Sequence, residues 1–378
     1  MGSFLLSAGL LVGSIIGAGI FSLPYVFLKS GLVAGIIYLI ILGVSTFIIH
    51  LMYADTIVRT SETHHRFPGY TKIYLGEYAG QLSGAMVFLA NFLTLTVYLI
   101  LSISFFNLIA PQFSIFYKFL IFWVLGSLTI FLKIERAAFF EILTTTITLA
   151  VIVAIFLAGY FYGLPSLGGN SFAALKNLAL PFSPTLFSLL GLGAIPTLVV
   201  YFREKNLAFN KIKKVLLVAT ITVVVAYLIF VLGIHRLSGG VSEDAVSGLI
   251  GNISPSILFF LGIFGVVSLL DSYMSVAFDV EKTMHYEWKL PKWLSKSFVV
   301  FLPPALYFLG FQNFLASIGV VGGILFSLWG IMTVLVWRKA SANGSPNQII
   351  SKIPSPVIYF LLAIFTAGIV YEIIYALA

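Results

Sequence analysis

The sequence predicts an all-α membrane protein of 11 transmembrane helices. Ten of them form a 5+5 inverted repeat in which helices 1 and 6 are discontinuous, and one extra helix follows at the C-terminal end. Three observations carry this. The 378 residues are 60% hydrophobic and 9% charged, whereas soluble domains carry about 25% charged residues. Eleven apolar segments succeed one another, each near or above the ~20 residues that cross a bilayer. Two of these hold matching interruptions, Ser14-Ile15-Ile16-Gly17-Ala18-Gly19 and Ser188-Leu189-Leu190-Gly191-Leu192-Gly193, and each is followed by a proline, Pro24 and Pro196.

In chain order the segments cover roughly 3–29, 31–58, 80–108, 114–132, 138–162, 183–202, 212–234, 253–280, 295–310, 313–337 and 356–377. The first lacks a basic leader and a small-residue cleavage site, so it is expected to be kept as a span. Between the second and third lies Thr60–Gln81, where Pro68-Gly69 precedes an aromatic stretch, Tyr70 to Tyr78, expected to form a short interfacial helix. His64-His65 in that loop reads as a solvated pair rather than a metal site. The loops Leu164–Leu180 and Leu237–Asn252 are rich in Gly and Ser. Three prolines in Ala340–Pro356 set the last span apart as an appendage. The resulting units are a first repeat, 1–162, a second, inverted repeat, 183–337, and an accessory helix, 356–378.

Net charge is +8, but its distribution speaks of topology rather than of nucleic acid. With a cytoplasmic N-terminus, 17 of the 21 Lys and Arg residues, Lys133 among them, fall in inside loops. Only Lys29, Lys118, Lys176 and Arg236 fall outside. This positive-inside bias places the N-terminus in the cytoplasm and the C-terminus outside. A repeat of five spans must then enter the membrane upside down relative to its partner. Paired Gly/Pro interruptions at corresponding places of two such halves point to a transporter. There is no cysteine, which excludes disulfides and thiolate metal sites.

A helix broken at Gly17-Ala18-Gly19 starts again with unpaired N–H groups at the positive end of its dipole, an arrangement that binds a carboxylate without a cationic side chain. The other reading is close helix packing through the stripe Gly9, Gly13, Gly17. At the second copy, carbonyls freed around Ser188, Leu189, Leu190, Gly191 and Leu192 suit an ammonium group. One end for each charge fits a zwitterionic amino acid.

Asp271 is the carboxylate nearest the middle of a span, where an ionisable group is functional by default. Helical spacing puts Ser268, Asp271, Ser272 and Ser275 on one face. Those hard oxygens suit a small cation; a protonated Asp bonded between helices is the alternative. Asn91, Thr94 and Tyr98 share a face of the third span and read equally as pocket lining or as interhelical hydrogen bonders. Thr144, Thr145 and Thr148 read as packing. Glu141 and Asp279, towards cytoplasmic ends, read as gate ion pairs or as solvated groups. No grouping supports an enzyme.

Gly13-Ser14-Ile15-Ile16-Gly17-Ala18-Gly19-Ile20-Phe21-Ser22-Leu23-Pro24 resembles the first-span signature of the amino acid–polyamine–organocation superfamily. The sixth span, Leu189-Leu190-Gly191-Leu192-Gly193-Ala194-Ile195-Pro196-Thr197-Leu198, resembles the amino acid/auxin permeases and the hydroxy and aromatic amino acid permeases. The resemblance implies alternating access and an amino-acid site at the two breaks. Leu270-Asp271-Ser272 is similar to a cation-site segment of neurotransmitter:sodium symporters. That likeness implies a site joining Ser268, Asp271 and Ser272 to the carbonyls of Gly13 and Ile16. The chain departs from the aromatic permeases at Leu192, near where their break carries a His. It also lacks the fifth-span lysine of some proton-coupled relatives, which tilts the expectation towards Na+.

The expected function is symport of a neutral L-amino acid with a cation, Na+ before H+, in a prokaryotic plasma membrane. Gly17, Ala18 and Gly19 would hold the carboxylate and Ser188 to Leu190 the amine, with Asn91, Tyr98 and Leu192 shaping the pocket. A channel would need a continuous polar lining, and an amino-acid sensor a cytoplasmic domain; both are weaker readings.

Overall fold

A computed structural model of the chain describes residues 2–61, 65–132, 134–163, 177–238, 240–343 and 347–377. His64, Lys133, Lys176 and the 164–176 stretch of the Gly/Ser-rich loop lie outside the described residues. Among these residues the molecule is helical, its one extended feature an isolated bridge between Ile250 and Ile253.

The first apolar segment is two helices. α1 (Gly2–Ile15) stops, Gly17 takes an extended conformation (φ −129°, ψ −151°), and a 3-10 turn (Ala18–Ser22) leads into α2 (Leu23–Ser30). The two parts meet at 52°. Then come α3 (Leu32–Arg59), α4 (Phe67–Leu75), α5 (Glu77–Ile109), α6 (Ile115–Thr129) and α7 (Ile134–Tyr162). The sixth segment is also interrupted: α8 (Phe182–Leu189) gives way at Leu190 and Gly191 to a 3-10 turn (Leu192–Ala194), then α9 (Ile195–Glu204). Pro24 and Pro196 sit in the first turns of α2 and α9, where a missing N–H costs nothing and the fixed φ favours a restart. The chain continues through α10 (Asn210–Leu237), α11 (Pro255–Glu287), α12 (Lys292–Phe308), α13 (Phe314–Ile318), a π-helical stretch (Gly319–Phe326), α14 (Ser327–Ala342) and α15 (Ser355–Leu377).

Among the described residues eight helices are long and apolar enough to cross a membrane, nine when α1 and α2 count as one bent span. The two remaining apolar segments are α6, 15 residues, and α12, 17 residues. Both are shorter than the ~20 residues of a full perpendicular crossing.

Packing places the interrupted helices at the centre. α5 and α11 run along each other, α7 and α10 do likewise, and α1 lies against α7 and α10. α12 shows how broken backbone is repaired. Pro303 and Pro304 remove the N–H groups that would bond Val299 and Val300. The Val299 carbonyl instead accepts from the Tyr273 hydroxyl (3.3 Å), and that of Val300 from the Trp123 indole (2.7 Å).

Two local expectations gain contacts that the sequence did not show. α4 is not simply an interfacial helix, because Phe67 and Tyr70 are fully buried and contact Tyr53 edge-on. α15 is bonded into the second half of the bundle. Its Glu372 is buried, accepts a hydrogen bond from Ser183 Oγ of α8 (2.5 Å), and fits where Gly319 and Gly323 of the π-helical stretch lack side chains.

The segment before α15 is held by Asp55 at the end of α3. Its Oδ2 accepts from Arg59 Nε (2.7 Å) and Trp337 Nε1 (2.8 Å), and its Oδ1 from the amides of Ile349 (2.6 Å) and Ile350 (3.2 Å). Removing the carboxylate strands the buried Arg59 charge, a loss of about 3–5 kcal/mol. Asp55→Ala should therefore lower the melting temperature of the detergent-purified protein by at least about 5 °C, read by intrinsic fluorescence. A shift within error would show that the clamp is dispensable.

Candidate functional site

The two helix breaks touch. Gly19 lies so close to Ser188 that a Cβ on it would come within 2.7 Å of the Ser188 Cα, so only glycine permits this approach. Tyr227 of α10 sits between the breaks, fully buried. Its hydroxyl lies 2.7 Å from the Ser188 carbonyl and 3.3 Å from that of Ile15. A further group from outside reaches the second break: the Gly191 amide donates to Nε2 of His50 on α3 at 3.1 Å. The sixth-span histidine implied by the resemblance is absent at Leu192, yet a histidine reaches the break from another helix.

A cavity of about 720 Å³ opens beside the breaks. It is lined by Gly17, Ala18 and Gly19 of the first and by Leu190, Gly191 and Leu192 of the second, with Asn91, Thr94 and Tyr98 of α5 on its wall. Eight of the ten sequence-expected substrate residues thus share one space; Ser188 and Leu189 are buried behind it. The Tyr98 hydroxyl faces Gly17, 2.9 Å from where a Cβ would stand. From the breaks the cavity runs along the start of α1 (Leu6, Ser7, Leu10) and the end of α9 (Tyr201, Glu204). In the other direction Phe21, just past the first break, is wedged edge-on between Phe105 (5.0 Å) and Phe230 (5.6 Å).

The charged groups on the cavity wall were only partly legible in sequence. Asp279 forms an ion pair with Arg66 (3.2 Å), favouring the gate-pair reading over solvation. Arg66 also donates to the Gly193 carbonyl (3.3 Å), tying the loop before α4 to the second break. Asn91 donates to Asp279 (3.2 Å), so its amide is engaged with this pair. Sequence reasoning gave Arg66 a topological role only, and an arginine in a loop carries no local sign of reaching inward. Glu141 lines the cavity and accepts from Ser14 Oγ at 2.5 Å. His65 lies 3.4 Å from Glu287 through Nδ1.

Of the expected cation ligands, Ser272 meets Ile16 and Ser268. Ser272 Oγ donates to the Ile16 carbonyl (3.4 Å) and the Ser268 carbonyl (3.2 Å), bridging α11 to the first break. α1 ends at Ile15, so its last-turn carbonyls, Gly13 included, have no donor within the helix. Asp271 accepts from Thr144 Oγ1 of α7, which gives Thr144 more than a packing role. The other Asp271 oxygen, Oδ1, is buried without a hydrogen-bond partner. Among the described residues no three His, Cys, Asp or Glu side chains gather as a transition-metal site would require.

A family model described as transmembrane amino acid transporter protein matches residues 1–233 of the chain. The match includes both breaks, the α5 wall and Tyr227, and ends before Asp271. No curated protein matches the chain. With more than half of its length matched, this multi-pass membrane protein belongs to the transmembrane amino acid transporter family, a family of transporters and not of enzymes.

Proposed function

We propose that the protein is a secondary active transporter that carries a neutral L-amino acid in symport with a cation by alternating access. The observation that carries this reading is the meeting of two backbone interruptions on one cavity. Amides at the restart of the first helix, Gly17–Gly19, take the carboxylate. Carbonyls at the end of α8, around Ser188–Leu190, take the amine. The Tyr98 hydroxyl, facing Gly17, adds a donor on the carboxylate side, while Asn91 and Leu192 bound the side-chain space. Arg66 and Asp279, the charged groups beside the second break, are paired with each other, which suits a neutral side chain.

The eleven helical segments are read here as eleven crossings with a cytoplasmic N-terminus and an outside C-terminus, in a prokaryotic plasma membrane. Residues 1–162 and 183–337 are the inverted halves, and 356–378 is an accessory helix. On that topology the cavity faces the cytoplasm and the Phe21, Phe105 and Phe230 cluster closes the outer side. The Arg66–Asp279 pair then lies on the cytoplasmic side of the substrate.

Na+ is the favoured coupling ion. Asp271, Ser272 and the carbonyls of Gly13, Ile16 and Ser268 form a set of hard oxygens, and the unpartnered Asp271 oxygen supports a ligand there. A proton on the same carboxylate is the second reading. An ion at this place joins α1 to α11, so its binding favours one conformation of the breaks. Coupling requires only that cation and substrate favour the same state.

A thermal-shift screen of the twenty L-amino acids, in NaCl and in choline chloride, tests substrate class and ion together. Stabilisation by neutral amino acids, larger in Na+, is expected. No stabilisation in either salt would overturn the substrate class. Asp271→Ala should reduce gradient-driven uptake into proteoliposomes by at least about tenfold while the protein still inserts. Uptake with unchanged ion dependence would remove Asp271 from the cation site. Tyr98→Phe should raise the apparent KM about ten- to a hundredfold, as loss of a hydrogen bond to a charged group does. An unchanged KM would place the carboxylate elsewhere.

A further inference from the structure

His50 lies within α3, outside the residues that line the cavity, and is almost fully buried. Because the Gly191 N–H donates to its Nε2, that nitrogen carries no proton. The ring is therefore neutral with its hydrogen on Nδ1. Nδ1 is buried and finds no hydrogen-bond partner. An unpaired donor inside a bundle is unfavourable, and phenylalanine would fill the space without one. What histidine alone supplies here is the acceptor.

The acceptor acts on the unwound backbone. Leu190 is extended (φ −89°, ψ 101°) and Gly191 is non-helical (φ −109°, ψ 41°). The Gly191 carbonyl accepts from the Ala194 amide at 3.2 Å, so both polar groups of Gly191 are engaged. The peptide between Leu190 and Gly191 is planar and trans. Its N–H and C=O point in opposite directions, so holding the Gly191 N–H on α3 aims the Leu190 carbonyl away from α3. Both residues line the cavity.

We propose that His50 is a positioning residue for the substrate site: its Nε2 anchors the Gly191 amide and so orients the Leu190 carbonyl that the site offers to the amine. This rests on the transport reading above for the role of that carbonyl, whereas the anchor itself does not.

Two variants separate anchoring from space filling. His50→Phe keeps a ring and loses the acceptor; His50→Gln places an amide oxygen near the Nε2 position. Hydrogen–deuterium exchange of the 186–194 segment in detergent should be about tenfold faster in His50→Phe and close to wild type in His50→Gln. For uptake of twenty radiolabelled L-amino acids into proteoliposomes, His50→Phe should raise the apparent KM of the transported ones about tenfold with little change in maximal rate. His50→Gln should restore it to within about threefold. Wild-type behaviour of His50→Phe in both readouts, or equal failure of the two variants, overturns the proposal. Should His50→Phe not insert, 15N spectra of histidine-labelled wild type, assigned by His50→Gln, still decide. A neutral Nδ1–H ring is expected, and an Nε2–H ring or an imidazolium overturns the anchor. If the exchange difference stands but wild type takes up none of the twenty, the transport reading falls and the anchor remains.

Discussion

Everything around the centre of this molecule answers one constraint: backbone polar groups released inside an apolar bundle must find partners within the protein. α1 and α8 stop in the interior, and the groups they release are claimed by side chains from three other helices and from the loop before α4. Tyr227 takes carbonyls of both breaks, Ser272 the Ile16 carbonyl and His50 the Gly191 amide, while Asn91 braces the Asp279–Arg66 pair whose arginine holds the Gly193 carbonyl. The same logic operates away from the site. The two prolines of α12 free two carbonyls, and Tyr273 and Trp123 close on them.

How much of this was legible in the sequence follows from how local each signal is. The breaks were legible because glycine pairs followed by proline write their conformation into a dozen residues. The α5 wall and the Ser268–Asp271–Ser272 face were legible because helical spacing fixes which residues share a side. Thr144, His50, Tyr227 and Arg66 were not singled out as site residues, since each acts on residues far from it in sequence. A lone histidine in an apolar span carries no periodicity, and a tyrosine among valines on α10 reads as bulk. Their roles exist only once the helices are packed.

The described carboxylates divide along similar lines. Asp55 is saturated by four donors and serves structure. Asp279 is paired, and Glu372 has a serine and a niche made by two glycines. Asp271 keeps one buried oxygen without any donor, a condition that a purely structural carboxylate has no reason to tolerate. Sequence marked Asp271 by its depth. Structure marks it by what it lacks.

The Tyr227 hydroxyl has a single hydrogen and faces two carbonyls, one at 2.7 Å on the sixth segment and one at 3.3 Å on the first. It can donate fully to only one of them. Whatever draws that hydrogen towards Ile15 withdraws it from Ser188, and the reverse holds with equal energy, because linkage of this kind is reciprocal. A ligand group that itself donates to the Ser188 carbonyl would leave the hydrogen free for Ile15. The two interruptions therefore keep a common account of one proton, so neither can be solvated, straightened or occupied without the other registering it.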